Sequence, residues 1–213
     1  MTRTSTAQKI ARRTGLLAAI ASVALMVAPA TGLAKAPVKF GAKLDPTVQP
    51  SNSLPGLPCS QESVMQCTMV QNEAYGRPDG GELAPRSGTI KKIRLIAGGP
   101  GVFRLQIAKV KRSTLFGSNE AKVLRGGPKI AYQGQTEANW ESGDYRVESF
   151  DVNVPVKKGE QLAMYTKGST SMVRCSSGGD NTLIYLNGLY SHQPFSPATD
   201  TDGCWVLMEA VIR

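Results

Sequence analysis

The sequence predicts an all-β protein: an antiparallel β-sandwich of about eight short strands with jelly-roll-like connections, preceded by a disordered export signal and a proline-rich linker. Three observations predict it. Apolar residues recur with period two through much of the chain after residue 58. Glycine and proline, 22 and 13 of 213 residues, punctuate those runs as turn residues do. No stretch beyond the N-terminal segment sustains helical spacing.

Residues 1–30 read as a secretory signal peptide. A basic start (Arg3, Lys9, Arg12, Arg13) precedes an uncharged apolar run from Gly15 to Ala28 and then small residues. The run is short for a bilayer span, so the expectation is cleavage after Ala30, at Ala28-Pro29-Ala30, rather than a retained anchor. A second small-residue site, Ala34-Lys35-Ala36, is followed by Pro37, which disfavours cutting there. Arg12-Arg13 resembles a twin-arginine signal but lacks its flanking residues. The expected location is secreted or extracytoplasmic, at the cell envelope, with no membrane span after signal cleavage. Residues 31–58 hold five prolines and little periodicity, which predicts an extended linker, with one domain over 59–213.

Charge narrows the partners. The net charge of +9 falls to +5 without residues 1–30, which carry four basic residues and no acidic one. Much of the basicity therefore belongs to targeting, and nucleic acid is not the expected partner. A mildly cationic exported protein is instead attracted to cell-wall or other anionic polysaccharide.

Cys59, Cys67, Cys175 and Cys204 are an even set in an exported chain, which predicts two disulfides. Three connectivities are possible; the shortest loops favour Cys59–Cys67 and Cys175–Cys204. Zinc is the competing use, but no pair has C-x-x-C spacing and His192 is the sole histidine.

In the domain, Ile93, Leu95 and Ala97 alternate with Lys92, Arg94 and Ile96; after Gly98-Gly99-Pro100-Gly101, Phe103, Leu105 and Ile107 alternate with Arg104, Gln106 and Ala108. This predicts a β-hairpin. Phe150, Val152, Val154 and Val156 predict another strand, turned by Lys157-Lys158-Gly159-Glu160 into Leu162, Met164 and Thr166. Pro155 cannot donate to a ladder, so it is expected at an edge or strand end. Shorter strands are expected over 68–72, 123–124, 130–133 and 183–187, and a final one over 205–212. In that last strand Cys204, Val206, Met208, Ala210 and Ile212 share one face, and Trp205, Leu207, Glu209 and Val211 the other.

"VESFDVNVPVKKGEQLAMYT" and the ending "CWVLMEAVIR" resemble secreted, jelly-roll-like β-sandwich proteins of high-GC bacteria. A valine-rich strand, a K-G-D/E turn and an apolar strand recur in those proteins, and the chain closes on a strand containing Glu. The resemblance spans roughly residues 85–213 and implies fold and export; it carries no catalytic residue across.

Signals for catalysis are thin. No G-x-S-x-G elbow is present, and His192 sits in a loop context, where a bystander is expected. Glu141, Asp144, Glu148 and Asp151 supply enough carboxylates for an acid pair of a carbohydrate-active hydrolase, against the plainer reading of a solvated acidic edge. Signals for binding are better. Residues 188–203 predict a long loop carrying Tyr190, His192 and Phe195, with Trp140 and Tyr145 as a second aromatic platform; the alternative is that these rings cap the sandwich ends. Asp200-Thr201-Asp202-Gly203 imitates the opening of a calcium loop, to which Asp180 and Asn181 can add oxygens, against a plain Asx turn. Glu209, on a mostly apolar face, needs a partner: a basic side chain first, calcium second. Lys92, Arg94, Arg104, Lys109, Lys111 and Arg112 predict a basic stripe on the hairpin. The expected function is a non-enzymatic exported module that binds a surface glycan or serves extracellular interactions, without an obligatory cofactor. A jelly-roll hydrolase and a purely structural cell-surface domain are the rivals.

Overall fold

The computed structural model of the chain describes residues 36–50, 59, 66–77, 80–112, 118–167, 171–175 and 179–213. The signal peptide expected over 1–30 lies outside them. The fold is all-β, with 52% strand against 5% helix, in antiparallel sheets of which one curls into a half-barrel. The described residues form thirteen strands, several of two or three residues, against the about eight expected. Among the described residues no helix is long and apolar enough to cross a membrane.

A four-stranded sheet is ordered β1 (Val38–Gly41), β13 (Met208–Ile212), β3 (Gly88–Leu95), β6 (Glu148–Val156). A seven-stranded sheet is ordered β10 (Ser196–Pro197), β5 (Glu120–Tyr132), β4 (Gly101–Lys111), β7 (Gln161–Thr166), β2 (Cys67–Gln71), β9 (Thr182–Leu186), β11 (Asp200–Asp202). The short strands β8 (Val173–Cys175) and β12 (Cys204–Val206) pair separately. Both sheets feed one core: Phe40, Ile93 and Ala210 from the first meet Met69, Leu105 and Met164 from the second.

The expected linker is corrected where it is described. Val38–Gly41 pairs with the final strand, Phe40 opposite Ala210, and Phe40 is only 1% exposed. Its apolar residues were too few to show a period, and pairing with a strand some 170 residues on leaves no local trace. The expected hairpin is corrected too: β3 and β4 alternate as read, but they lie in different sheets. The same holds for β6 and β7 across the Lys157–Glu160 turn. Both glycine turns are corners that carry the chain from one sheet to the other around the core. Pro155 does lie in an edge strand, β6.

The two short strands expected over 123–133 are one long strand, β5. Gly126-Gly127-Pro128 is absorbed where the β4–β5 register shifts between Arg104 and Gln106. Pro128 is tolerated because β5 has a neighbour on its other side only at Glu120 and Ala121. The expected final strand breaks at Leu207, because Cys204–Val206 pairs with β8 while Met208–Ile212 pairs with β1 and β3. Its inward face holds: Cys204, Val206, Met208, Ala210 and Ile212 all lie in the main core. One short helix, α1 (Glu137–Ser142), is capped by Thr136 and ended by Gly143; one turn and a half is too short to show periodicity.

Both disulfides take the expected pairing, Cys59–Cys67 and Cys175–Cys204. The latter joins residues that are register partners across β8 and β12.

The seven-stranded sheet is the curled one. Only Ala198 and Thr199 separate β10, at one edge, from β11, at the other. Seven strands laid flat put those edges about 29 Å apart at the usual strand spacing. The chain from Pro197 to Asp200 reaches about 10 Å, so the sheet must bend to bring its edges together. Thr199 N donates to Ile184 O, and Ala198 N to Asn119 O, which stitches the link to both sides.

Candidate functional site

Curling gives the sheet an inner face with its own packing. Val70, Ala108, Ala121, Val123, Ala163, Leu183, Tyr185 and Leu189 form a second buried cluster, with Ala198 of the link against it. Their strand neighbours Met69, Ile107, Leu162 and Ile184 face the main core. Each central strand is therefore buried on both faces here, as its unbroken apolar pattern requires.

Along the same inner face the lining turns polar. After β9 the chain reverses through Asn187 and Gly188, both at positive φ, and lays Leu189 onto the sheet. Leu189 N donates to Thr68 Oγ1 at 2.8 Å, Thr68 Oγ1 donates to Gln106 Oε1 at 3.3 Å, and Gln106 Nε2 donates to Leu189 O at 2.9 Å. This closed ring satisfies the buried backbone of the strap and partitions the curl. On one side is the apolar cluster; on the other a groove of about 550 Å³ opens to solvent.

The groove walls come from β4 (Val102, Arg104), β5 (Gly126, Lys129), the end of β7 (Tyr165, with Lys167 just beyond) and the strap (Tyr190, Ser191). Arg104 is the register partner of Tyr165 on one side and of Lys129 on the other. The rings of Tyr165 and Tyr190 lie 5.8 Å apart, tilted by 52°. Both hydroxyls donate to Gln66 Oε1 at 2.6 Å, which holds the two rings as one wall. The hydrogen bond with the Tyr165 hydroxyl pushes the Tyr190 phenol above its ordinary pKa, desolvation adds to this, and Lys167 pulls the other way. Tyr190 nonetheless keeps 42% of its surface exposed. Among the described residues no carboxylate lines the groove, and none pairs with Arg104, Lys129 or Lys167.

The aromatic residues singled out in the sequence do not converge. Tyr190 is in the groove. Phe195 lies under the Lys122 ammonium, 4.7 Å from its ring centre, beside β10. His192 is exposed at φ +76 and does not line the groove. Trp140 and Tyr145 stack edge to face at 5.3 Å and pack on Ala42, Leu44, Val48, Ile96 and Leu207. That pair belongs to a third apolar cluster away from the groove, and Tyr145 is buried. The expected long loop over 188–203 is also corrected: it carries β10 and β11 and closes the curl.

The acidic residues scatter as well. Glu148 accepts from Gln133 N and Gly134 N, at 3.1 and 2.8 Å, and Asp151 faces Lys92 at 3.6 Å. Glu141 and Asp144 are exposed at the end of α1 and just after it. Asp200 accepts from Thr201 N, Asp202 from Cys204 N and Asp180 from Thr201 Oγ1, so these side chains serve the local backbone and one hydroxyl. Burial raises the Asp202 carboxyl above its ordinary pKa, and the charge of Asp200 adds to this. Glu209 does not join them. It is 2% exposed, with Arg77 at 2.6 Å, Lys39 at 3.3 Å and Arg94 in contact. Three cations around one carboxylate repel a divalent ion, which corrects the calcium ligand set of Asp200, Asp202 and Glu209. Among the described residues no group of three or more His, Cys, Asp or Glu is placed to hold a metal.

The basic stripe disperses once β3 and β4 part. Arg94 serves Glu209, Lys92 Asp151, Lys111 Glu120 and Arg112 Glu82; Arg104 alone of the six reaches the groove. Lys129, Tyr165, Lys167 and Gln66 went unnoticed in the sequence. The available signal was Tyr165, the one large polar-tipped ring on the face of β7 opposite Leu162 and Met164. No protein-family model, no curated protein and no solved structure matches this chain.

Proposed function

We propose that the chain is an exported, non-enzymatic β-sandwich module of jelly-roll type that binds a surface glycan in the groove at the mouth of the curled sheet. The observation that carries this reading is the Tyr165–Tyr190 wall beside three cations that lack carboxylate partners among the described residues, around a groove of about 550 Å³. Tyrosine rings stack on the apolar faces of sugars, while the cations supply hydrogen-bond donors at the rim. A volume of this size falls in the range of small-ligand sites. Export is supported by the two disulfides, which persist in oxidising compartments. The sheet-changing corners at Gly98–Gly101 and Lys157–Glu160 support the sandwich.

The test is sedimentation of the protein with cell-wall and polysaccharide fractions. Saturable binding is expected, weakened in Tyr190→Ala and unchanged in a conservative Trp140→Phe control, since Trp140 packs in a separate apolar cluster. Failure to bind any fraction leaves the purely structural reading, and sugar released from a polysaccharide panel supports the hydrolase instead.

A further inference from the structure

We propose that the groove selects sugars bearing an oxyanion, with Arg104 as the anchor of the charged group and Tyr190 as the platform for the ring. The inference rests on the glycan reading and specifies its ligand class.

It follows from a donor and acceptor census. A neutral sugar presents hydroxyls that both donate and accept, so a site built for it supplies acceptors, usually carboxylate or amide oxygens. Among its described lining residues this groove supplies no carboxylate, and its one side-chain amide is engaged. Arginine and lysine have no acceptor, which removes Arg104, Lys129 and Lys167. The Gln106 amide is engaged at both ends, its Oε1 by Thr68 and its Nε2 on Leu189 O. The Gln66 Oε1 already takes both tyrosine hydroxyls. The lining therefore sets three cationic donors beside the neutral hydroxyls of Ser191, Tyr165 and Tyr190, with no charged acceptor among the described lining residues, the complement of a carboxylate, sulfate or phosphate.

The cations are also placed at a loss. Arg104 and Lys129 are directly opposed on neighbouring strands, an arrangement that destabilises a sheet when both residues are charged. Other cations are paired, Arg125 with Glu160, Arg112 with Glu82 and three around Glu209, while the second opposed pair on these strands, Lys109 and Lys122, sets Lys122 over the Phe195 ring. An oxyanion between Arg104 and Lys129 relieves that repulsion, and the guanidinium fork suits two oxygens of one group. Tyr165, on the other side of Arg104, joins Tyr190 in setting the ring next to the charge.

Calorimetric titration of the disulfide-bonded chain tests this with matched probes. They are oligogalacturonate against its methyl ester, dextran sulfate against dextran, glycerol-phosphate teichoic polymer bearing glucose, and polyphosphate as an anion without a ring. At least one anionic saccharide is expected to bind about tenfold or more tightly than its neutral counterpart or polyphosphate. Arg104→Gln should remove the preference for the charged form, and Tyr190→Ala the advantage over polyphosphate, with the fold of each variant verified by near-ultraviolet circular dichroism. Which arm responds identifies the oxyanion. Equal binding of charged and neutral partners overturns the inference and leaves the glycan reading standing. Polyphosphate binding that matches the saccharides and ignores Tyr190→Ala overturns it in favour of bare charge attraction. Silence from every saccharide removes the glycan reading, and this inference with it.

Discussion

Arg104 stands directly opposite Lys129 across the β4–β5 pair, with Tyr165 on its other flank. Among the described residues no carboxylate pairs with either cation to relieve their repulsion. Arg104→Gln and Lys129→Gln are therefore expected to raise stability by about 0.2–1 kcal/mol at low salt, while weakening anionic saccharides. The gain should shrink at 1 M salt, where the screening length is about 3 Å. Urea midpoints at two ionic strengths measure it; a loss of stability in both variants at low salt contradicts the idea.

Among the described residues Glu209 is the single carboxylate paired with Lys39, Arg77 and Arg94. Glu209→Gln keeps the shape and removes the charge, leaving three cations facing one another over a buried amide. A destabilisation of about 3–5 kcal/mol is expected in urea unfolding. A change below about 1 kcal/mol would show that the cations escape to solvent at little cost.

Glu160 is held below its ordinary pKa of 4.5: burial opposes ionisation, but hydrogen bonds from Arg125 and the Lys157 amide, with the charges of Arg125 and Lys157, outweigh it. In turn, the hydrogen bond with Glu160 raises the Arg125 guanidinium. Because the folded pKa is depressed, the unfolded chain binds more protons in the acid range. The stabilisation is thus complete above the ordinary value and lost as pH falls through the folded one. Urea midpoints between neutral and acid pH should fall less steeply below about 4.5 in Glu160→Gln than in the parent. Identical slopes count against this role.

Gly188 has φ +75, and a Cβ there would come 2.7 Å from Tyr165 Cε2. Gly188→Ala therefore strains the backbone and pushes the Tyr165 ring. A loss of about 1 kcal/mol or more is expected, together with weaker saccharide binding. Binding left intact would show that the strap and the tyrosine wall move independently.

The disulfides close loops of different length, with sequence separations of 8 and 29. Replacing both cysteines of a pair by serine should cost about 2.5 kcal/mol for Cys59–Cys67 and about 3.5 kcal/mol for Cys175–Cys204. Thermal or urea unfolding of the two variants ranks them, and the reverse order would point to native-state contacts rather than loop closure.

Much of this was legible from the chain alone. The alternation in "CWVLMEAVIR" placed Cys204, Val206, Met208, Ala210 and Ile212 on one face, and all five are in the main core. It also put Glu209 opposite them and asked for a basic partner, which the fold supplies three times over. The short-loop disulfide pairing was legible for the same local reason, since near neighbours are the easiest to bring together.

By itself, then, the sequence determined which residues of β3, β6 and β13 turn inward, because that depends on the period of the strand's own residues. It did not determine which strand lies beside which. A core shared by two sheets looks the same from either, so Ile93 and Leu95 read alike whether β3 pairs with β4 or, as it does, with β13 and β6. Partner choice is settled by backbone hydrogen bonds between distant segments and by how the chain rounds its corners. Only the tertiary structure brings Arg104, Lys129, Tyr165 and Tyr190 to one groove, since their meeting depends on the curl of the seven-stranded sheet and on the two-residue link that joins its edges.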